Sequence, residues 1–558
     1  MSSTELETPV LISGAGPSGL VAALTLVKNG VPVRIITNDP EHRAVGQRGA
    51  GPRTLEYYNL LGILPDVLNG GASRRFIRIY KLPGGVEPLK TFEMAPHVDP
   101  TPAIPYPNAV LIGQDHSEAI LRSHLAKYGC HVELGTELRT LEQFPDHVLA
   151  HVVKTDGGVE RTETIRCRWL IGADGARGVV RKQLGLSFLG ETREGQRILF
   201  GDVDVQGLDR DHWHIWGDAA TAIVVLRPTE YDDNSFAIVT GSKDVDNQTL
   251  LKDREALIRL IHSTTNRDDL VIGEFRSMSD FRPNIRMVDR FGAGRGFVVG
   301  DAAHTHSPTG GQGLNSSVQD AVNLSWKLAL VEKGIAAPSL LETYTEERLP
   351  VIAEMLEKTT ELLNKTMRAG DLSAWDRRSG ALDQLGVNCR WSSIVVDERA
   401  SDTDEKNKPS DAYGTAGSTE VRAGDRAPDA PGLVVLRGAD STEETGAQTS
   451  LFQTFGISYH TVLLFTTDAN VAKAASDILA GYPAGTTRCV VMLPAGASQF
   501  PVISGGSVLI DQEGHAHVGY NVASGTSTIV IVRPDGTVGG VVLGVEGLRR
   551  YFKSIFSA

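Results

Sequence analysis

The hexapeptide Gly14-Ala15-Gly16-Pro17-Ser18-Gly19 constrains this chain more than any other segment. It follows a short apolar run, residues 9–13, and opens a second one with helical spacing, residues 20–27, that meets no breaker before Asn29-Gly30. A further apolar run occupies residues 31–36. Strand, helix and strand within about thirty residues make the minimum parallel crossover. In that context Gly14 allows the tight turn, Gly16 lets the backbone approach a pyrophosphate, and Gly19 permits close helix packing. The helix that starts at Pro17 and Ser18 offers the N–H groups that follow the proline, and a positive dipole end, to the anion. A dinucleotide is expected there. The same pattern asks for an acid at the end of the second strand, to bond the ribose. This chain reads Ile36-Thr37-Asn38-Asp39, so either Thr37 makes the contact or Asp39 reaches back across Asn38.

Two more apolar strands end in glycine-rich turns, residues 167–175 and 296–303. Residues 186–290 alternate apolar and polar positions between them, as an antiparallel sheet with one solvated face does. A long helix is expected over residues 338–368, kinked or ended by Pro350. Residues 401–429 are rich in Asp, Ser, Gly and Pro and predict a linker. Beyond them, four apolar strands and a helix near residues 471–479 predict a separate small α/β module. The expected domains are 1–185 with 282–400, the inserted 186–281, and 430–558.

Composition removes several function classes. The 558 residues carry 55 Lys+Arg against 68 Asp+Glu, a net charge of −13, and no run of five basic residues. That balance argues against nucleic acid and anionic membranes as partners. No stretch of 18 apolar residues predicts a membrane span, and the acidic N-terminal segment lacks the pattern of an export signal. The four cysteines, Cys130, Cys167, Cys389 and Cys489, form neither a disulfide framework nor a zinc motif. A reducing, cytoplasmic setting without a structural metal is expected.

The turns Gly172-Ala-Asp174-Gly175-Ala-Arg177-Gly178 and Gly300-Asp301-Ala-Ala-His304-Thr-His306-Ser-Pro308-Thr-Gly310-Gly311-Gln312-Gly313-Leu314-Asn315 resemble those of the single-component FAD-dependent aromatic hydroxylases, which include para-hydroxybenzoate hydroxylase and phenol hydroxylase. With the first glycine motif, three motifs stand in family order over residues 8 to about 365. The resemblance implies an α/β protein: a Rossmann-like FAD-binding domain, an inserted antiparallel-sheet substrate domain, and a C-terminal thioredoxin-like domain without C-x-x-C. It implies that Asp174 belongs to the second cofactor motif and that Asp301 bonds the ribityl and pyrophosphate region. Gly311, Gln312, Gly313, Leu314 and Asn315 would face the flavin pyrimidine, Arg48 and Gln114 the phosphates or ring edge, and Pro308 the wall between flavin and substrate. Many relatives have Ser where this chain has Gly178.

The implied chemistry is the cofactor's. NADPH or NADH reduces FAD, O2 adds to form a flavin C4a-hydroperoxide, and one oxygen passes to a phenolic or related aromatic ring, by hydroxylation or oxidative decarboxylation. A larger polycyclic or polyketide substrate and a catalytically silent FAD-binding scaffold are the alternatives, and a homodimer is implied. The aromatic cluster His212-Trp213-His214-Ile215-Trp216 lies in the inserted sheet. His214 and Trp216 share one strand face and Trp213 the other. His214 and Trp216 are therefore the side chains expected against the substrate, as stacking partner or proton relay, unless their face is merely packing.

Overall fold

The computed structural model describes residues 6–42, 48–72, 75–93, 96–192, 198–218, 221–231, 233–242, 246–281, 284–307, 311–369, 381–399, 411–414, 420–439, 444–497, 501, 503, 505–523 and 525–557. Its first sheet grows from the crossover read in the sequence. Leu6–Ser13, the helix Pro17–Lys28 and Val33–Ile36 form that unit, and parallel pairing extends it to Val159–Gly172, Gly296–Val298 and Val132–Glu133. Where the central strands pair, their ends are apolar because both faces are covered. Val10, Leu11, Ile12, Leu170, Ile171 and Val298 are fully buried. The helix Gly313–Glu332 packs against Pro17–Lys28.

The second sheet has seven strands, in the order Val271–Phe281, Ile198–Gln206, Ser235–Ser242, Ala222–Pro228, His212–Gly217, Phe76–Tyr80, Pro88–Glu93. The insertion expected at residues 186–281 is thus completed by a hairpin from upstream, in which Phe76–Tyr80 runs parallel to His212–Gly217. Residues 247–265 depart from the expected alternation. They form two helices, Asn247–Lys252 and Arg254–Thr265, started by Asp246 and Asp253, whose carboxylates accept backbone N–H groups. Leu250, Leu257, Leu260 and Ile261 of these helices pack with Leu199, Val203, Trp216, Val224, Leu226, Phe236 and Ile238 of the sheet. One sheet face is therefore helix-backed. The two crossing strands between the domains, Phe188–Thr192 and Asn284–Val288, pair with each other, and the second also pairs with His304–Thr305.

Pro350 does not interrupt the long helix, which runs Glu342–Ala369. Proline removes the N–H that would bond the carbonyl four residues back. That carbonyl, of Glu346, instead accepts the indole N–H of Trp391 at 2.8 Å.

The C-terminal sheet places three parallel strands, His460–Phe465, Thr487–Pro494 and Gly506–Asp511, beside the antiparallel pair Thr528–Val532 and Val538–Val542. Val396–Asp397, expected in the FAD-binding body, pairs with Val538–Val542. The expected linker is likewise partly structural. Ala412 and Tyr413 are buried, and the Gly424 N–H bonds Val538 at 2.6 Å; residues 400–410 and 415–419 lie outside the described residues.

A buried ionic seam joins this module to the body. Glu347 accepts from Arg533 (2.8 and 2.9 Å), Lys327 (2.8 Å) and Asn323 (2.6 Å). Asp535 pairs with Arg533 and accepts from the indole of Trp326 at 3.1 Å. Arg53 reaches Glu56 at 2.7 Å and the Asp535 carbonyl at 3.1 Å. No helix among the described residues is long and apolar enough to cross a membrane.

Candidate functional site

The three glycine-rich turns meet because their strands end in register: Ser13 lies beside Gly172, and Gly172 beside Val298. Gly14 adopts a φ of +111°, and a Cβ there would lie 2.1 Å from the Ala173 carbonyl oxygen. A Cβ on Gly19 would lie 2.0 Å from the Gly14 carbonyl oxygen. The first glycine is thus required by the second motif and the third by the first. Gly16 is different: among the described residues nothing comes within 4 Å of where its Cβ would be. The N-cap residue, Gly16, offers no side-chain acceptor to the first N–H groups of the helix that starts there. Ser18, itself buried, packs against Gly300, whose φ is +59°. Asp301 follows, exposed.

The turn before Gly313–Glu332 repeats the arrangement. Gly311 has a φ of +64°, nothing among the described residues comes within 4 Å of where its Cβ would be, and the N-cap residue Gln312 makes no side-chain cap bond. Asn315 ties the turn down: its Oδ1 accepts from Gly51 N–H (2.8 Å) and the Thr54 hydroxyl (2.6 Å), while its Nδ2 donates to the Gly311 carbonyl (2.7 Å). Gln312 is buried and Leu314 half-buried. Two open helix starts and an exposed carboxylate at one sheet edge fit a dinucleotide carrying a second, electron-rich ring.

The other expected residues divide. Asp174 caps its own turn, accepting from Val179 and Val180 N–H at 2.7 and 3.0 Å, and its burial raises its pKa. A Cβ on residue 178 would lie 2.2 Å from Asp174 Oδ1, which explains why this chain has glycine there. Thr37 is buried and accepts from the N–H of Asp39 at 3.3 Å, whereas Asn38 is exposed and Asp39 half-exposed at the strand end. Gln114 starts a helix and bonds Glu118 at 2.8 Å. The backbone of Arg48 pairs with Gly113. The Arg48 side chain and Pro308 lie outside the described residues. Burial lowers the pKa of His306, while Asp301 and the Ser307 carbonyl act in the opposite sense. Arg286 and Arg295, upstream of the third turn, bond backbone carbonyls, Phe188 in one case and Pro145 and Arg168 in the other.

His214 and Trp216 require a correction. Both are fully buried on the helix-backed face. The Trp216 indole N–H donates to the Gly85 carbonyl at 2.8 Å, and His214 lies between the Tyr80 hydroxyl (2.7 Å) and the Asp209 carbonyl (2.9 Å). Tyr80 stacks on Trp216 with ring centroids 4.7 Å apart. Alternation correctly separated the two faces, but the helices that cover one of them were not recognised, although Leu250, Leu257, Leu260 and Ile261 carry a helical spacing.

The opposite face carries Trp213, Ile215, Ile223, Val225, Arg227, Ala237 and Val239 by alternation. The Arg227 guanidinium lies 4.8 Å from the Trp213 ring centre. The indole N–H of Trp213 is buried and has no acceptor among the described residues. The turn beyond this face is pinned to the FAD-binding body: Glu230 accepts from Gly113 N–H at 2.6 Å, and the Tyr231 hydroxyl donates to Asp115 at 2.7 Å, on either side of Gln114.

Comparison with known proteins gives the same picture. The family described as FAD binding domain matches residues 7–359. A flavin-dependent monooxygenase of Mycobacteroides abscessus is 38% identical over 427 residues, covering 75% of this chain and 83% of that protein. Pentachlorophenol 4-monooxygenase of Sphingobium chlorophenolicum is 33% identical over 359 residues, covering 63% and 64%. Among solved structures, the ternary complex of aklavinone-11 hydroxylase with FAD and aklavinone superposes with a TM-score of 0.78 at 24% identity, over 99% of each chain.

Proposed function

The chain belongs to the FAD-binding-domain family of flavin-dependent monooxygenases, and from that premise we propose that it hydroxylates a planar hydroxyaromatic substrate lying between the Gly311–Asn315 turn and the helix-free face of the seven-stranded sheet. The protein is an FAD-binding oxidoreductase of the monooxygenase type. The observation that carries the finer reading is the convergence of two uncapped helix starts and the exposed Asp301 at one sheet edge, next to the pinned turn of the second sheet.

Bound FAD supplies the relay of electrons from NADPH or NADH and the activation of O2. The chain's own groups bind and orient. N–H groups at the start of Pro17–Lys28 hold the pyrophosphate, and Asp301 takes hydroxyls of the ribityl chain. The start of Gly313–Glu332 would present its positive end to the flavin ring and favour negative charge there. Trp213 stacks on the substrate ring, and Val225 and Val239 keep water from it. The Arg227 guanidinium lowers the pKa of a bound phenol, and its ionised oxygen enriches the ring for attack. Asn38 and Asp39, rather than Thr37, face the ribose.

We assign the C-terminal module to the thioredoxin-like class on the order of its parallel and antiparallel strands. Cys489 is buried there, and burial pushes its thiol up to about 12, so thiolate chemistry is not its role. The test of function is NADPH and NADH oxidation by the FAD-loaded protein with a panel of phenols, hydroxybenzoates and polycyclic phenols, scoring hydroxylated product against cofactor consumed. Stimulation by a panel member with matching product supports the proposal. Cofactor consumption that no member stimulates, in protein that retains FAD, sinks it in favour of a scaffold.

A further inference from the structure

We infer that Gln384 and Tyr413, from the two stretches that lead into the C-terminal module, are positioning residues that hold the Gln312 turn in the form FAD requires; this rests on the FAD placement proposed above. The Tyr413 hydroxyl donates to Gln312 Oε1 at 2.5 Å, and Gln384 Nε2 donates to the same oxygen at 2.7 Å. Gln312 Nε2 in turn donates to the Leu382 carbonyl at 3.0 Å. Both ends of the Gln312 side chain are therefore fixed by residues 382–413. Its neighbour Gly311, in the left-handed region, presents only backbone to the open side.

The contacts continue inward as one buried chain. Gln319 Nε2 donates to Gln384 Oε1 (2.5 Å), Arg348 donates to Gln319 Oε1 (3.1 Å) and to Asp320 Oδ1 (2.8 Å), and Asp320 Oδ2 receives His304 (2.7 Å) and the Gly300 N–H (3.2 Å). The Gly311 turn and the Gly300–Asp301 turn are thereby coupled through the five side chains of Gln312, Gln384, Gln319, Arg348 and Asp320, with Tyr413 attached at Gln312. Burial alone would raise the Asp320 pKa, but Arg348 and His304 outweigh it and keep the carboxyl ionised. Gln384 itself sits at a φ of +60°, a conformation that a non-glycine residue holds only where its surroundings demand it. A buried amide fixed at every polar atom has one orientation, and a buried network with a missing member loses that uniqueness.

The test uses the full-length holoprotein and Tyr413→Phe, which removes one hydroxyl and keeps the ring. The expected result is a folded protein that still saturates with FAD, an FAD affinity about threefold to tenfold weaker, as for one lost buried hydrogen bond, and a more negative flavin midpoint potential with an altered visible circular dichroism. A conservative second variant, Gln384→Glu, which keeps an acceptor for Gln319 and loses the amide donor, should shift the potential in the same direction. Wild-type affinity, potential and dichroism in both variants overturn the inference. Asp301→Ala separates the two levels: full FAD retention in that variant overturns the cofactor placement itself, whereas FAD loss there with no effect at residues 384 and 413 overturns only the positioning role.

Discussion

The glycine edge and the ionic seam lie at opposite ends of the helix Gly313–Glu332 and solve opposite problems. At the edge, helix starts are uncapped, Asp301 is exposed, and glycines stand where a Cβ would strike the next turn. At the seam, Lys327, Glu347, Arg533 and Asp535 are buried and paired with one another. Backbone donors left open are inexpensive in a solvated cleft and available to a ligand, whereas a buried charge must be matched inside the protein. Polar groups alone therefore do not mark a site. What marks it is whether their partners are already present.

The largest effect should come from breaking the seam. Arg533→Met leaves Glu347 and Asp535 without their main partner and should cost about 3–5 kcal/mol in urea unfolding. Its stability should also have a sign with pH. Arg533 and Lys327, against the opposing effect of burial, hold Glu347 below the usual carboxylate range. The stability this contributes is present above the unfolded carboxylate pKa of about 4.3 and is lost as pH falls through the folded value. The variant should lack that component.

The edge should respond through cofactor rather than stability. Asp301→Ala should weaken FAD binding by about tenfold to a hundredfold, the range for a hydrogen bond to a charged group, while the apoprotein's unfolding midpoint stays within error. Equal losses of stability at Asp301 and Arg533 would erase the contrast.

The two faces of the seven-stranded sheet give a smaller test. Trp216→Ala should act on stability, because it empties a packed core. Trp213→Ala should raise KM for the aromatic substrate about twofold to tenfold through lost stacking, with the melting temperature little changed. The reverse pattern would return the substrate to the helix-backed face.

The smallest effect concerns His460, enclosed by Trp326, Tyr551, Phe552 and Phe556. Burial, reinforced by Arg533, lowers its pKa to about 3. The unfolded chain takes up a proton below pH 6.5 that the folded one refuses, so this residue destabilises the protein progressively as pH falls from 6.5 towards 3. Between pH 7 and 5.5 the parent should lose roughly 1 kcal/mol that a His460→Phe variant keeps.

Local pattern revealed the glycine edge because each turn there depends on residues adjacent in the chain. Gly14, Gly16 and Gly19 declare a turn and a helix start within six positions. The same reading placed Trp213 opposite His214 and Trp216, since side-chain alternation is a property of the strand itself. It could not say which face was useful, for that depends on where the helices at residues 247–265 pack. It also expected Pro350 to kink or end a helix, because the indole that satisfies the freed Glu346 carbonyl lies 45 residues away.

By itself, then, the sequence determined the crossover, the three glycine-rich turns and the family. Tertiary structure alone decided that the upstream strand Phe76–Tyr80 completes the seven-stranded sheet, that Trp216 lies under the helices, and that Tyr413 bonds Gln312. The physical reason is range. Turns, caps and strand periodicity are set by neighbours a few bonds apart, whereas burial and the pairing of charges are settled only when segments hundreds of residues apart are brought into contact.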